Sequence, residues 1–307
     1  MNRIRWTGIL IGSLAALLLV AGAFAMTGLT AEWRRPDSAV TAAAALQRAP
    51  DTVRVAAWNI AKCGAVKSDG WRSDTDVRAH LDSIAAVLDP LDPHLVFLSE
   101  VNVESGPNRV HQVRYLAEKL EMHAWAFGEN YRWGLPGLRV RSGNAVLSRF
   151  PLAADSVMQL PGGTPFYAPT NNRRLLWARV KLGRGWVTVA SLRNDSFRRD
   201  NNRRQAARIL DVLPPGPVLL AGDFNAAPGE PSIDLFVESG RFAAVWDGPP
   251  TFPSRAPREA IDLILAPSDW EILDHRVVGS PWSDHLPVLT AFRPDSGRPP
   301  LTKRPLF

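Results

Sequence analysis

Apolar and polar positions along the chain follow two periods. Residues 53–59 (VRVAAWN) form a short β-type run, and residues 95–100 (LVFLSE) are continuously apolar up to a terminal acid, as in a buried strand. Between them Val77, Leu81, Ile84 and Leu88 recur at helical spacing, which predicts a helix joining the two strands. The same spacing predicts a second helix from about Val110 to Leu120. Further strands are predicted over 143–148, 175–181, 186–192, 218–223, 261–265 and 288–292. Strands of the buried and half-exposed kinds, interspersed with a few helices, suggest an α/β (α+β) domain of two sheets packed face to face with helices outside. An open doubly wound sheet fits the same pattern.

The first thirty residues follow neither period. Arg3 and Arg5 precede an apolar run from Ile9 to Ala25, and apolar character continues to Leu29, so 1–30 reads as a signal peptide or an amino-terminal membrane anchor through residues 6–29. With the positive charge on the amino-terminal side, the remainder is expected outside the cytoplasm: exported, and either anchored or released after cleavage. Residues 31–52, rich in Ala with Pro36 and Pro50, read as a linker. The folded domain is expected over 53–293, followed by a Pro-rich basic tail at 294–307 that is expected to be disordered.

Composition changes this picture little. At 307 residues, 46% hydrophobic and 21% charged, the chain can bury a sizeable core and is not of the disordered class. A formal net charge of +6, carried chiefly by Arg, makes anionic partners plausible, and a generally Arg-rich surface explains it equally well. The single cysteine, Cys63, excludes an intrachain disulfide and a cysteine zinc cluster.

Candidate chemistry lies at strand ends. Residues 217–225 read PVLLAGDFN: a buried strand, a Gly at the turn, then Asp223 and Asn225 at alternating positions on one side. Such a pair can orient a water and a phosphoryl oxygen together; a simple Asx-type turn would look the same. Asp284 and His285 stand side by side before an apolar run, and Asp262, an acid inside an apolar strand, is the natural partner for His285. Asn59 and Glu100 each end an apolar strand; their oxygens suit a hard cation such as Mg2+, or cap the strand ends.

The ordered set Trp58-Asn59, Ser99-Glu100, Gly143-Asn144-Ala145, Gly222-Asp223-Phe224-Asn225, Ile261-Asp262 and Ser283-Asp284-His285-Leu286-Pro287 resembles the endonuclease/exonuclease/phosphatase superfamily across about Val53 to Phe292. The resemblance implies a four-layered sandwich of two mixed sheets between helices, and a magnesium-dependent (or Mn2+-dependent) hydrolase of phosphodiester or phosphomonoester bonds, endonuclease-like in the first instance. It implies Glu100 as principal metal ligand with Asn59 and Asp284 beside it, Asp223 and Asn225 orienting water and phosphate, and His285 with Asp262 as the acid/base pair. Asn144 would wall the substrate cleft.

The pattern breaks at one place. Many superfamily members carry a mid-domain His in a Thr-His-Leu sequence, where this chain reads Leu192-Arg193-Asn194, so Arg193 is expected to grip phosphate without donating a proton. Two other readings therefore stay open: a lipid phosphodiesterase with Trp133, Phe166 and Trp282 toward a membrane, and an inactive phosphate-binding module. Arg198, Arg199, Arg203, Arg204 and Arg208 follow Arg193, and Arg173 and Arg174 lie nearby; they are either a basic rim for nucleic acid or solvated helix faces. His80, His94, His111, His123 and His275 match no motif, and Tyr131 and Arg132 are expected in a loop before the Gly-Asn-Ala segment.

Overall fold

The computed structural model describes residues 11–20, 33–46, 50–67, 70–134, 138–162, 169–183 and 185–294. Its frame is two seven-stranded sheets. In the first, strands β1 (Trp33–Arg34), β7 (Leu152–Gln159), β8 (Arg174–Leu182), β9 (Gly185–Arg193), β10 (Val218–Asp223), β12 (Asp262–Pro267) and β11 (Phe242–Ala243) run in the order β1-β7-β8-β9-β10-β12-β11. In the second, β13 (Glu271–Val277), β14 (Val288–Arg293), β3 (Val53–Asn59), β4 (Leu95–Ser105), β6 (Val140–Ser148), β5 (Ala124–Trp133) and β2 (Asp37–Val40) run in the order β13-β14-β3-β4-β6-β5-β2. Both are mixed, with parallel pairs β3/β4 and β9/β10 at their centres. Helices α1 (Asp74–Leu88), α2 (Gln112–Lys119), α3 (Arg199–Val212) and α4 (Pro231–Glu238) complete the layers.

Side-chain alternation assigns each layer. On β3, Val53, Val55 and Ala57 point between the sheets, where they pack with Val189 of β9, Ala221 of β10 and Ile264 of β12. Ala56 and Trp58 point the other way, onto Val77, Leu81 and Ile84 of α1 and Val113 of α2. The first sheet repeats the arrangement: Ala190, Leu192, Leu220 and Leu265 face Ala206 and Ile209 of α3 and Ile233 and Phe236 of α4. Two helical layers thus sandwich two sheets, as the resemblance implied, and the doubly wound alternative falls away. Ser73 caps α1 by accepting from the Asp76 amide at 3.1 Å, which sets where the predicted helix begins.

The sequence boundaries need correction in places. The segment expected as a linker supplies two edge strands, β1 on Met158 and Val157 and β2 on residues 124–127. Every residue of β2 is exposed, so its composition lacks the apolar face that marks a strand. Tyr131 and Arg132, expected in a loop, lie within β5. Residues 11–20 are helical and exposed; most of the expected leader, Phe166 and all of 295–307 lie outside the described residues. Among the described residues no helix is long and apolar enough to cross a membrane.

Candidate active site

Strand register gathers the expected residues at one end of the sandwich. In the first sheet Arg193 is opposite Asp223, and Asp223 opposite Asp262. In the second, Asn59 is opposite Ser99, one residue before Glu100. The sheets are tied to each other here, since the Ser99 hydroxyl donates to the Leu192 carbonyl at 3.0 Å. Gly222 permits the close approach of β9 and β10: at φ +142° a Cβ would stand 2.2 Å from the Leu192 oxygen. The loop carrying Asp284 and His285 is fastened to β3 by the Trp58 indole N–H, which donates to the His285 carbonyl at 2.9 Å, and by the Ser283 hydroxyl on the Asn59 carbonyl at 2.6 Å.

Asp223 is the fully buried centre. Its Oδ2 accepts from Asn59 Nδ2 at 2.9 Å and Arg193 Nε at 3.3 Å, with His285 Nε2 3.9 Å away. Its Oδ1 accepts from the Asn225 amide at 3.0 Å, so the Asx-type turn is real and coexists with the clustering. Asn225 adopts a left-handed φ of 47° and donates through Nδ2 to the Asn194 carbonyl at 3.0 Å. His285 Nδ1 is 2.8 Å from Asp262 Oδ2, which also accepts from the Thr251 hydroxyl at 2.6 Å. This fixes the imidazole with Nε2 toward the centre. Phe252 lies over the ring at 4.7 Å between centroids. Burial alone would lower the His285 pKa, but the Asp262 carboxylate, its hydrogen bond, and then Asp223 and Asp284 outweigh it and raise it to about 9. Burial pushes the Asp262 pKa upward, opposed by the His285 charge and its hydrogen bond.

Glu100 also has a left-handed backbone, φ 51°, a strained conformation within β4. Its Oε1 pairs with Arg193 Nη2 at 2.8 Å, and its Oε2 with the ammonium of Lys62. Lys62 belongs to a run of left-handed residues, Ala61 to Gly64, held by Gln112 Nε2 donating to the Lys62 carbonyl at 2.8 Å. Burial, then Arg193 and Arg173, lower the Lys62 pKa to about 8 against a raising effect of Asp284. Sequence reading missed Lys62: its only signal is its place three residues after the strand-ending Asn59, and no periodicity points a turn residue into a site.

Arg193 stands where it was expected, bridging Glu100 and Asp223. Asn144 does not join them. It is fully buried against the first sheet, its amide donating to the Arg174 carbonyl at 3.0 Å and facing Asn130, so it is closed off from any substrate. Of the arginines after Arg193, Arg198 pairs with Asp195, Arg199 with Glu230, Arg204 with Asp200 and Arg208 with Asp211.

The donor set fits a divalent cation. Ligand atoms of Asp223, Asp262 and His285 lie within 4.8 Å of one another, and among the described residues Asp262 Oδ1 is buried without a hydrogen-bond partner. Glu100 and Asp284 add hard carboxylate oxygens beside them. Asn59 offers its amide nitrogen to the carboxylates while its Oδ1 accepts from the Ala61 amide at 3.1 Å, so as placed it steadies the carboxylates and contributes no oxygen.

A search of curated protein sequences found no match. Among solved structures, an endonuclease/exonuclease/phosphatase from Beutenbergia cavernae DSM 12333 superposes with a TM-score of 0.60 at 23% identity, covering 79% of this chain and 71% of that one. A mannosyl-6-phosphatase from Bacteroides thetaiotaomicron VPI-5482 gives 0.56 at 17% identity over 78% and 99%. The TDP2 of D. rerio, complexed with a single-strand DNA product, gives 0.57 at 16% over 79% and 99%. These likenesses show the fold. The sequence profile of the Endonuclease/Exonuclease/phosphatase family matches residues 56–285, and the chain belongs to that family.

Proposed function

We propose that the chain is a divalent-metal-dependent hydrolase of phosphate esters, working at Asp223, Asn225, Asp262, His285, Glu100 and Arg193. The observation that carries this reading is the buried Asp223 carboxylate, held by Asn59 and Arg193, with His285 Nε2 facing it and Asp262 behind the imidazole. Phosphoester hydrolysis needs a positioned water, a base and fixed positive charge around the phosphoryl oxygens, and these side chains supply them.

Arg193 grips the phosphoryl oxygens in the space beside Glu100 and Asp223. Asp223 and Asn225 orient the attacking water and the phosphate. His285, kept in one tautomer by Asp262, accepts the water's proton at Nε2. A divalent cation, held by Glu100 and Asp284 with Asn59 alongside, would neutralise charge on the phosphate and assist the leaving oxygen. Mg2+ and Mn2+ both suit such oxygens.

The endonuclease-like reading leaned on the basic rim. With Arg198, Arg199, Arg204 and Arg208 each paired to an acid, that rim offers less free positive charge than its composition suggested, so nucleic acid gains no support from it. Export of the domain, anchored or released, is part of the proposal and is supported by the apolar amino-terminal sequence alone. The test is hydrolysis of a chromogenic monoester, a chromogenic diester, plasmid DNA, RNA and phosphocholine lipid by the full chain with Mg2+ or Mn2+. Turnover of at least one, lost in Glu100→Ala, supports the proposal. No turnover of any would leave a phosphate-binding module.

A further inference from the structure

Helices cover the outer face of the first sheet over only part of its width. Along β8, Leu176, Ala178 and Val180 point into the space between the sheets, so Trp177, Arg179 and Lys181 point outward. Helices α3 and α4 pack on this face over β9, β10 and β12, through Ala190, Leu192, Leu220 and Leu265. Beyond them, Trp33 of the edge strand β1 sets its ring against Trp177 with 5.5 Å between centroids, and Trp186 of β9 stands opposite Lys181. Trp33 is 44% exposed and Trp186 43%. The Arg179 guanidinium and the Lys181 ammonium each lie 5.6 Å from the centre of the Trp186 ring. Arg179 also pairs with Asp155 at 3.0 Å. A groove of about 430 Å³, lined by Trp177, Trp186, Pro214 and Pro215, opens on the same face.

Tryptophan beside Arg and Lys is the side-chain set of a membrane interface: the amphipathic indole sits at headgroup level, while the long cationic side chains lay their stems on apolar rings and turn their charge to lipid phosphate. Chain length brings such an interface to this face. The apolar run from Ile9 ends at Leu29, and Trp33 follows directly after Thr30, Ala31 and Glu32. Those four residue steps span at most about 14 Å when fully extended. The headgroup region of a bilayer is itself about 5 to 7 Å deep on each side. A chain anchored through the apolar run therefore holds Trp33 at the headgroups or just above them. Of the surfaces next to that tether, β2 presents only Asp37, Ser38, Ala39 and Val40, without an aromatic or a cation. The outer face of the first sheet carries both.

We propose that the face bearing Trp33, Trp177 and Trp186 docks on the phospholipid headgroups of the membrane that holds the amino terminus, with Arg179 and Lys181 against lipid phosphate. The inference goes beyond the hydrolase reading and rests on the anchored form of the exported chain. It assigns a role to residues of β1, β8 and β9 that lie outside the cluster around Asp223.

The test uses the full chain reconstituted in vesicles of phosphatidylcholine and phosphatidylglycerol, and it needs no turnover. Cys63 is buried, so a single introduced cysteine takes an environment-sensitive fluorophore selectively. Thr188→Cys carries it on the proposed face, opposite Arg179, and Ala86→Cys carries it on the exposed side of α1, the helix packed on the far sheet. Lipid with a nitroxide near its headgroup is expected to quench the label at position 188 about threefold more strongly than the label at 86, and Trp186→Ser or Lys181→Glu to remove about half of that difference or more. Equal quenching at the two positions overturns the docking face and leaves the anchor intact. Release of the chain from vesicles by alkaline carbonate refutes the anchored reading; quenching at 188 before that wash then upholds docking through the face alone, and its absence overturns both. A label at 188 that is shielded from iodide equally with and without lipid, in a chain that sediments as a dimer, gives the face to a second copy and overturns the proposal.

Discussion

Two clusters of charge, one at Glu129 and one at Asp223, are built from the same residue types and arranged to opposite ends. Glu129, on β5 just before a register shift toward Tyr131, is nearly buried and receives Arg34 at 2.5 Å, Arg132 at 2.7 Å and Arg141 at 2.7 Å, with Arg141 passing on to Asp37 at 2.8 Å. Both carboxylate oxygens are engaged. Burial alone would raise its pKa, but hydrogen bonds from Arg132 and Arg141 outweigh this and hold it below the usual Glu range. Around Asp223 the contacts are longer, Glu100 and Asn225 take left-handed backbones, and among the described residues Asp262 Oδ1 has no partner and Arg173 has no counter-ion. Saturated pairing on unstrained backbone serves the fold, here by tying the edge strands β1 and β2 to β5 and β6. Incomplete pairing on strained backbone leaves capacity for a ligand.

Substitutions separate the two. Asp223→Asn or His285→Ala should lower kcat by about two to four orders of magnitude in a steady-state assay, with Tm changed far less. Glu129→Gln should do the reverse, costing about 2–3 kcal/mol in denaturant unfolding, since partly exposed arginines are left without their acid, while kcat is retained. The sign of its pH dependence follows: a depressed carboxylate stabilises above its unfolded value of about 4.3, and the difference between native and variant should vanish as pH falls through the folded value. A Glu129→Gln protein with intact stability and lost turnover would erase the distinction.

The raised His285 offers a finer test. If it is the base, kcat/KM should climb with pH toward an inflection near about 9, and Asp262→Asn should move that inflection down toward the ordinary histidine value of about 6.5. An inflection that stays in place would remove Asp262 from behind the imidazole. Its contribution to stability has the opposite sense from that of Glu129, being full below about 6.5 and lost as pH rises through about 9. The smallest effect should come from Cys63: it is buried, burial pushes its thiol up, and iodoacetamide treatment of the folded chain should leave turnover unchanged.

What the sequence disclosed follows from how much of each feature is periodic. Strands β3 and β10 have the predicted bounds because each is apolar to its last residues and ends in a polar side chain with work to do, Asn59 and Asp223. Strand β4 continues past Glu100 to Ser105, since positive φ at Glu100 bends the strand without ending it, and an acid in an apolar run looks like a terminus. Strand β13 was missed because its burial is mixed and mostly shallow, so no alternation survives to be read. Helix α3 has a polar sequence in which Asn201, Asn202 and Gln205 are buried, bonding the loops that support Asp195 and Asn225, so the first half of its inward face is polar and only Ala206 and Ile209 continue it as apolar residues. In the site, Asp223, Asp262 and His285 were legible from ordered motifs. Lys62 was not recognised as a site residue, because a left-handed turn places it, a fact of three dimensions.

The most direct test of the central claim is a metal titration of chromogenic phosphoester hydrolysis by the full chain, run beside Asp223→Asn. The account predicts saturable, Mg2+- or Mn2+-dependent release of 4-nitrophenolate that chelation abolishes and that Asp223→Asn lowers by at least about a hundredfold. Release by Asp223→Asn equal to that of the native chain, or none from the native chain at any metal concentration, would contradict it.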